Sequence, residues 1–563
     1  MTINSSGAGL ARFEDPNDQA LFDSFVAHQA AYRENPAAFI GGIAKHLKEA
    51  FAAPRDVETA YAVMASVLAG CDNALIHGGG SHTIGFIKTL DDETTSRIKG
   101  IIDLRPSMVR GLDAFPILTP EQAAAQGRDL IIVAHPARER DMVSALTDAG
   151  ADPSRIVQIY SHPDTLERGR KKLDAIRDEV LAAPPRFVVV DTIGMSWKLV
   201  DDKALSTVFP ANETLVLYLG RAEHHPPPGP FRLIDLSQSA ALLADLLAAL
   251  KPAAVYLRTT AQLDTESYAA LIKEAAPGTP LIHELYDSAI TFSDDYLQFG
   301  WGISPPAATQ AKQAAAYSFN ASDILIHKNG SALWDPFLEH AKGKTFKYYP
   351  QVSAGRALPD DAPTSTDGPL RIIYAGSIHS TSSFSAGSAF AWANVTPLFD
   401  RIVRDGNVEV TMYNSLHQGV GGDDKYADFL DRYGAGPIRY NRGVPLDALL
   451  EDCARHHYGW TAFYRPSGSE LPLVDKVVLH NKFTSYLLAG IPVIVTDYFL
   501  HVAGLVREYN AGVVVASEEI ETLGQRLNAT DYREHKAGCL RLRQHMFDHN
   551  ARVLDAVRGA GLW

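Results

Sequence analysis

Lys482 opens the stretch Asn481-Lys-Phe-Thr-Ser-Tyr-Leu-Leu, in which Phe483, Tyr486 and Leu487 fall at helical spacing and Gly490 supplies a C-cap. Pro492 follows, then a buried strand. In a doubly wound sheet, ligands lie outside the carboxyl ends of strands and at helix N-termini. A lysine there, beside free backbone N–H groups, could meet a diphosphate. The plain alternative is an exposed lysine at an ordinary helix start. His283-Glu-Leu-Tyr-Asp287 ends an apolar strand, where cleft residues belong. Either His283 or Asp287 could take a proton from an acceptor hydroxyl. The plain alternative is a satisfied core histidine and an aspartate capping the next helix. Glu223-His224-His225 also follows a strand and turns at three prolines. Adjacent histidines point in different directions, so this pair alone predicts no metal site, and His224 stands as a further candidate base. Gly78-Gly-Gly-Ser-His-Thr83 follows the apolar run Ala74-Leu-Ile-His, and Asp103 lies 23 residues after Gly80. That is close to a dinucleotide fingerprint, with threonine where the last glycine should be. Gly78, Gly80, His82 and Asp103 are the candidate ligand residues of that region.

Alternating strands and helices must carry these residues. From Asn73 the chain reads as short apolar runs at Ala74, Ile98, Pro116, Asp129 and Arg155, separated by helical stretches, which predicts a parallel sheet covered by helices. A heavily charged helix, Leu166 to Leu181, closes this series at Pro184-Pro185; its charges predict a solvated face. A second series has strands at Phe187–Val190, Thr214–Leu219, Ala253–Leu257, Pro280–Leu285, Asp323–His327 and Phe346–Tyr349. The Pro- and Asp-rich segment 356–369 reads as a linker. A third series follows at Leu370–Tyr374, Val408–Tyr413, Ile438–Tyr440, His457–Trp460, Val493–Val495 and Val513–Val515, before a helical tail from Ile520. Residues before 70 read as helices without chemistry.

The 563 residues predict three or four domains, and the composition, 46% apolar and 21% charged, is that of a folded globular chain. The formal net charge of −14 argues against a dedicated nucleic-acid binder. Cys71, Cys453 and Cys539 lie far apart and form neither a disulfide framework nor a zinc cluster, which predicts a reducing compartment. The N-terminus does not read as a secretory signal. No segment offers roughly 20 uninterrupted apolar residues for a membrane span. The expected location is the cytoplasm, with docking on a membrane surface and self-association left open.

Asn481-Lys-x-x-x-Tyr-Leu-x-Ala-Gly-x-Pro-Val-Ile, followed by Gly504-Leu-Val-Arg-Glu-Tyr-Asn-Ala-Gly-Val, resembles the donor-binding half of GT-B glycosyltransferases, in particular the family 4-like group. Arg371-Ile-Ile-Tyr-Ala-Gly-Ser is similar to the strand and glycine turn that open that half. Val444-Pro-Leu-Asp-Ala-Leu-Leu is similar to the segment before the donor site. Ser322-Asp-Ile-Leu-Ile-His, with Tyr349-Pro-Gln-Val further on, is similar to the end of the N-terminal half. The resemblance spans roughly residues 186–560. It implies a nucleotide-sugar donor on the C-terminal half, an acceptor on the N-terminal half, and no metal or other cofactor. Gly376 and Ser377 would approach the diphosphate, Lys482 would neutralise it, and Ser485 and Tyr486 would lie near the nucleotide. This chain departs from the family pattern at Ser485 and Val477, where glutamates are usual, and in the turn Gly-Ser-Ile-His-Ser-Thr, which lacks the usual Arg and Lys. Arg442 and Arg465 are the nearest basic substitutes. The 71–162 region resembles small Rossmann-like accessory domains of sugar-modifying proteins, which bind ligands or partners rather than carry out redox chemistry.

The fold expected is α/β: GT-B, two facing Rossmann-like domains, with an additional N-terminal Rossmann-like domain and a helical N-terminal cap. The divisions are 1–70 (helical segment), 71–185 (accessory domain and charged helix), 186–365 (acceptor domain) and 366–563 (donor domain with C-terminal helices). The function expected is transfer of a sugar to a glycan or protein acceptor, in bacterial surface-polysaccharide or flagellar glycosylation. The alternatives are a nucleotide-sugar epimerase of GT-B shape and a non-catalytic sugar-nucleotide-binding scaffold.

Overall fold

The computed structural model describes residues 13–50, 56–103, 109, 112, 114–127, 129–135, 139–194, 198–220, 228–260, 262–300, 303–352, 368–378, 399–400, 402–403, 407–414, 431–433, 436–461, 472–516, 519 and 522–563. Most of the expected 356–369 linker lies outside these residues.

Three parallel sheets form. The first holds β1 (Ala74–His77), β2 (Ile98–Ile102), β3 (Ile117–Leu118), β4 (Leu130–Val133) and β5 (Ile156–Gln158), in the order β3-β2-β1-β4-β5. The second holds β6 (Phe187–Asp191), β7 (Thr214–Tyr218), β8 (Arg232–Asp235), β9 (Ala254–Thr259), β10 (Leu281–Leu285), β11 (Ile324–His327) and β12 (Lys344–Lys347), in the order β12-β11-β10-β9-β6-β7-β8. The third holds β13 (Leu370–Ala375), β14 (Val408–Tyr413), β15 (Ile438–Asn441), β16 (Tyr458–Trp460), β17 (Val493–Thr496) and β18 (Gly512–Val515), in the order β15-β14-β13-β16-β17-β18. In each sheet the order reverses beside the first strand, the doubly wound pattern whose switch point favours ligands. Central strands such as Phe187-Val-Val-Val-Asp are buried throughout, because helices cover both faces. The edge strand β8 was not expected. It is short, half-exposed and carries Arg232 and Asp235, so it shows little of the apolar run that marks the others.

The N-terminal helices do not form one cap. Helices Pro16–Glu34 and Pro36–Ala50 pack on the second sheet's unit, where Phe22, Phe25, Ile43, Ala44 and Leu47 enter its cores. Helix Val57–Ala69 instead completes the core of the first unit with Ala60, Val63, Met64 and Leu68. Helical periodicity showed that these residues form helices but not which sheet each one covers.

Helix Tyr532–Arg558 joins the second and third units. Its first half packs Cys539, Leu542 and Met546 into the core of the third unit, and its last turns pack Val553, Leu554 and Val557 into the second. Gly538 lets the helix lie directly on the carbonyls of Tyr509 and Asn510, where a Cβ would collide with backbone. At the crossover, buried Asn550 accepts from the Tyr349 amide (2.9 Å) and donates to the carbonyls of Tyr349 and Val352 (both 2.8 Å). Two Rossmann-like units that face each other and share a C-terminal helix make the GT-B arrangement. Among the described residues, no helix is long and apolar enough to cross a membrane.

Asn550→Ala removes all three hydrogen bonds and strands buried backbone groups. We expect it to cost roughly 1–3 kcal/mol and to separate the unfolding of the second and third units in a calorimetric scan. A single unshifted transition would mean that Asn550 does not couple them.

Candidate functional site

Helix Asn481–Leu488 buries Phe483, Tyr486, Leu487 and Leu488, and ends where Gly490 takes a φ of +73°. The Tyr486 hydroxyl donates to the Trp460 carbonyl (3.1 Å) and accepts from the Ala375 amide (2.9 Å). One side chain therefore ties the helix to the ends of β13 and β16. The ring lies on Gly459, where any Cβ would overlap it. His480 is the N-cap in an extended conformation, and its side chain makes no cap hydrogen bond. The Phe483 amide turns back to the His480 carbonyl (3.1 Å).

Lys482 extends from this helix start over the loop after β13. A Cβ on Gly376 would sit 2.8 Å from the Lys482 Cδ and 3.2 Å from its Nζ. The Nζ is 3.4 Å from the Tyr374 hydroxyl and 4.7 Å from the centre of that ring. Burial pulls the ammonium down to about 7, against the opposing charge of Asp475. Gly376, singled out by the family resemblance, and Lys482, singled out at its helix start, lie side by side.

The facing groups come from the ends of β10 and β11. Lys328 is buried, lies 3.4 Å from the centre of the Tyr286 ring, and pairs with Asp287 at 3.1 Å. Burial lowers the Lys328 ammonium, and Asp287 opposes that shift. The Asn481 side chain hydrogen-bonds the Tyr286 hydroxyl across the seam. The Gly330 amide donates to the Val477 carbonyl (2.9 Å), and the His501 ring lies against Gly330 so closely that no side chain would fit there. His480, between the two sides, is held neutral by burial and then by the charges of Lys482 and Lys328.

Beneath this seam is a buried charge cluster. Arg258 on β9 has no exposed surface and meets Asp202 (2.7 Å), Asp191 (3.3 Å) and Glu284 (3.4 Å). Lys198 adds contacts to Asp191 (2.8 Å) and Asp202 (3.1 Å). Glu284 also accepts from the Leu199 amide and the Tyr256 hydroxyl, both at 2.7 Å. Buried carboxylates persist only when paired and hydrogen-bonded in this way.

Several expected site residues are placed differently. His283 is wholly buried, its Nε2 is 2.6 Å from the Thr259 hydroxyl, and burial lowers its pKa to about 3. It is a core histidine in this conformation, which corrects the expectation that it faces an acceptor. Tyr486 and Ser485 are also buried. Tyr486 holds strand ends, and the Ser485 hydroxyl donates to the Asn481 carbonyl (3.0 Å), so neither presents its side chain to a nucleotide here. Ser377 and Arg442 are exposed at the ends of β13 and β15. His224 and Arg465 lie outside the described residues. In the first unit, Gly78 adopts a φ of +118° and the Gly79 amide donates to Asp103 (3.0 Å). His82 pairs with the Tyr160 hydroxyl (2.8 Å), and burial lowers its pKa to about 4. Gly80 is open to space. Sequence reasoning missed Tyr286, Lys328, Asn481 and His501. Lys328 follows an apolar strand directly, as Asp287 nearly does, and that position was the available signal. Among the described residues, no group of three His, Cys, Asp or Glu side chains could hold a metal ion.

No protein-family model matches the chain, and no curated protein does. Solved structures with similar coordinates include Anabaena Alr3699/HepE in complex with UDP-glucose, at a TM-score of 0.45 and 14% identity, over 66% of this chain and 99% of that one. Medicago truncatula UGT71G1 complexed with UDP-glucose superposes at 0.38 and 11% identity, over 68% of this chain and 100% of that one. AviGT4, a glycosyltransferase involved in avilamycin A biosynthesis, superposes at 0.36 and 9% identity, over 67% of this chain and 99% of that one. Likenesses this distant say nothing of substrate or mechanism.

The neutral core histidines have a measurable consequence. His283 and His327 are lowered to about 3 and His82 to about 4, in each case by burial first. Between those values and about 6.5, the unfolded chain binds more protons at these sites than the folded chain. Stability is therefore whole above about pH 6.5 and falls as pH drops, by about 1.4 kcal/mol per pH unit for each such group. Thermal melting between pH 7.5 and 4.5 should show a steep acid-side loss; a flat profile would contradict these burials.

Proposed function

We propose that this chain is a glycosyltransferase that moves a sugar from a nucleotide-sugar donor to a glycan or protein acceptor. The observation that carries the reading is the Lys482 ammonium, desolvated at an uncapped helix start against Gly376 and faced by the Asp287–Lys328 pair. A diphosphate fits the first side: backbone amides and one cation meet its charge, and Gly376 leaves room beside the lysine. The acceptor belongs on the other side, at the ends of β10 and β11. Asp287 is the candidate base. It would take the proton from the acceptor hydroxyl as that oxygen bonds to the anomeric carbon. The bond from that carbon to the diphosphate breaks, its electron pair leaves on a phosphate oxygen, and Lys482 and the helix amides neutralise the charge. Ser377 and Arg442, exposed at the ends of β13 and β15, are candidates for further donor contacts, as is Arg465 from the sequence alone, and His224 is from the sequence alone a further candidate base. The Gly78, Gly80, His82 and Asp103 region is a candidate ligand site of the first unit, separate from transfer. The surface-polysaccharide or flagellar setting rests on the family resemblance.

The test is thermal shift and then calorimetry with UDP-, GDP-, ADP-, CMP- and dTDP-sugars, since a ligand of the folded state raises apparent stability. Lys482→Ala should weaken binding of the preferred nucleotide diphosphate by roughly 1.5–3 kcal/mol without unfolding the protein. Unchanged affinity would remove Lys482 from the donor site. In wild type, an ammonium titrating near 7 is largely neutral at pH 8, and a bound diphosphate favours its charged form. Binding at pH 8 should therefore take up a proton, and affinity should fall by up to about tenfold per pH unit above 7. Calorimetry in buffers of different ionisation enthalpy reads this uptake directly, and Lys482→Ala should abolish it. Asp287→Asn should abolish transfer while leaving donor affinity intact; a fully active variant would direct the search for the base to His224.

A further inference from the structure

The N-terminal helix makes a contact that neither fold nor catalysis requires of it. Helix Pro16–Glu34 is seated on the second unit. Phe22 and Phe25 pack against Phe337 with ring centroids 5.2 Å apart, and Gln29 donates to the Ala316 carbonyl (2.6 Å). From its first turn, however, two carboxylates reach a lysine more than 450 positions away. Lys476 Nζ lies 2.6 Å from Asp15 Oδ2 and 2.7 Å from Asp18 Oδ2. Lys476 and Asp18 are buried. The division of work is complete at Asp15, whose other oxygen caps the helix by accepting from the Asn17 amide (2.9 Å). The positive end of the helix dipole offsets the second carboxylate.

Lys476 belongs to helix Leu473–Val477, which leads within a few residues to His480, Asn481 and Lys482. The next residue, Val477, accepts from the Gly330 amide of the second unit. The segment that delivers the candidate donor lysine is thus tied to the opposite unit twice, once by a side-chain ion triad and once by backbone. Leu473, Val474, Val477 and Val478 share one apolar cluster with Phe22, Phe25 and Phe337.

We infer that Asp15, Asp18 and Lys476 form a clamp that positions residues 478–488, so that Asn481 meets Tyr286 and Lys482 meets the Gly376 loop. They are positioning residues: none touches the proposed ligand. The link to donor binding rests on the proposed role of Lys482, whereas the clamp itself does not.

The experiment is hydrogen exchange on the full-length protein, with nucleotide-diphosphate calorimetry in parallel. Lys476→Met leaves the two carboxylates together without their shared cation. Amides 478–488 should then exchange at least tenfold faster, while those of helix Pro163–Ala182 keep their wild-type rates. Lys476→Arg, which keeps the charge, should restore protection. In the Met variant, affinity for the diphosphate that wild type binds should fall about five- to tenfold, and KM for the donor should rise more than kcat falls. If Lys476→Met does not fold, Asp15→Asn removes only the less buried partner and should give a smaller change at the same amides. Wild-type exchange at 478–488 in these variants would overturn the clamp. Faster exchange in a protein whose wild type binds no nucleotide sugar would leave the clamp standing and overturn the transferase reading instead.

Discussion

The Tyr486 hydroxyl is the hinge-pin of the third unit's side of the seam. Bonded to a carbonyl on one strand and an amide on another, it fixes a short helix relative to two strand ends at once. An eight-residue helix has little stability of its own. Its position comes from the six residues it buries and from this bridge. Gly459 admits the ring and Gly376 admits Lys482. Both glycines are explained by one requirement, that the helix approach the sheet closely enough for its N-terminus to stand over the loop after β13. An alanine at either place would push apart groups whose separation defines the site.

The second unit's side of the seam is built on a different principle. There the strand ends are held by charge. Arg258, Lys198 and three carboxylates bury five ionisable side chains beneath the surface loops. Such a cluster is weak evidence for stability, because desolvation offsets much of the Coulomb attraction. Its effect is geometric. Leu199 and Val200 are bonded through their backbones to Glu284 and Arg258, and the amides of Ile193 and Gly194 to Asp191. Both ends of one loop are therefore pinned to the same group of side chains. One side of the cleft is set by a phenol and packing, and the other by buried ions.

Much of the framework was legible in the sequence, because strands buried on both faces read as apolar runs and glycine punctuates the turns. The exceptions are instructive. The edge strand Arg232–Asp235 carries polar residues because one side of it meets water. Helices Pro16–Glu34 and Val57–Ala69 have similar patterns yet cover different sheets, and a pattern records that a face is buried but not against what. Lys482 was singled out because a lysine at a helix start has a physical meaning. Lys328 was not, because a lysine after a strand looks the same whether it is solvated or buried on a tyrosine ring. His283 illustrates the reverse error. Residues alternate faces along β10, so the titratable groups of His283-Glu-Leu-Tyr-Asp287 were never going to point one way. His283 and Glu284 lie inside, whereas Tyr286 and Asp287, beyond the strand, reach the seam.

Two lysines six positions apart show how the same residue type takes opposite parts. Lys476 and Lys482 are both withdrawn from water, and burial alone lowers an ammonium. At Lys476 two carboxylates in direct contact reverse that effect and leave the group raised. Its charge is fully used within the protein, so it can hold a position but has nothing left for a ligand. At Lys482 the near neighbours include a phenol and a glycine backbone, Asp475 opposes the shift only in part, and the group stays lowered to about 7. An ammonium that its surroundings disfavour gains most when an anion arrives, because the incoming charge offsets the cost of burial. His480 and His501 sharpen the contrast. Burial keeps both rings neutral, and they add no cations of their own at the seam. Lys482 is therefore poised to respond to an anion, while Lys476 holds the segment that carries it.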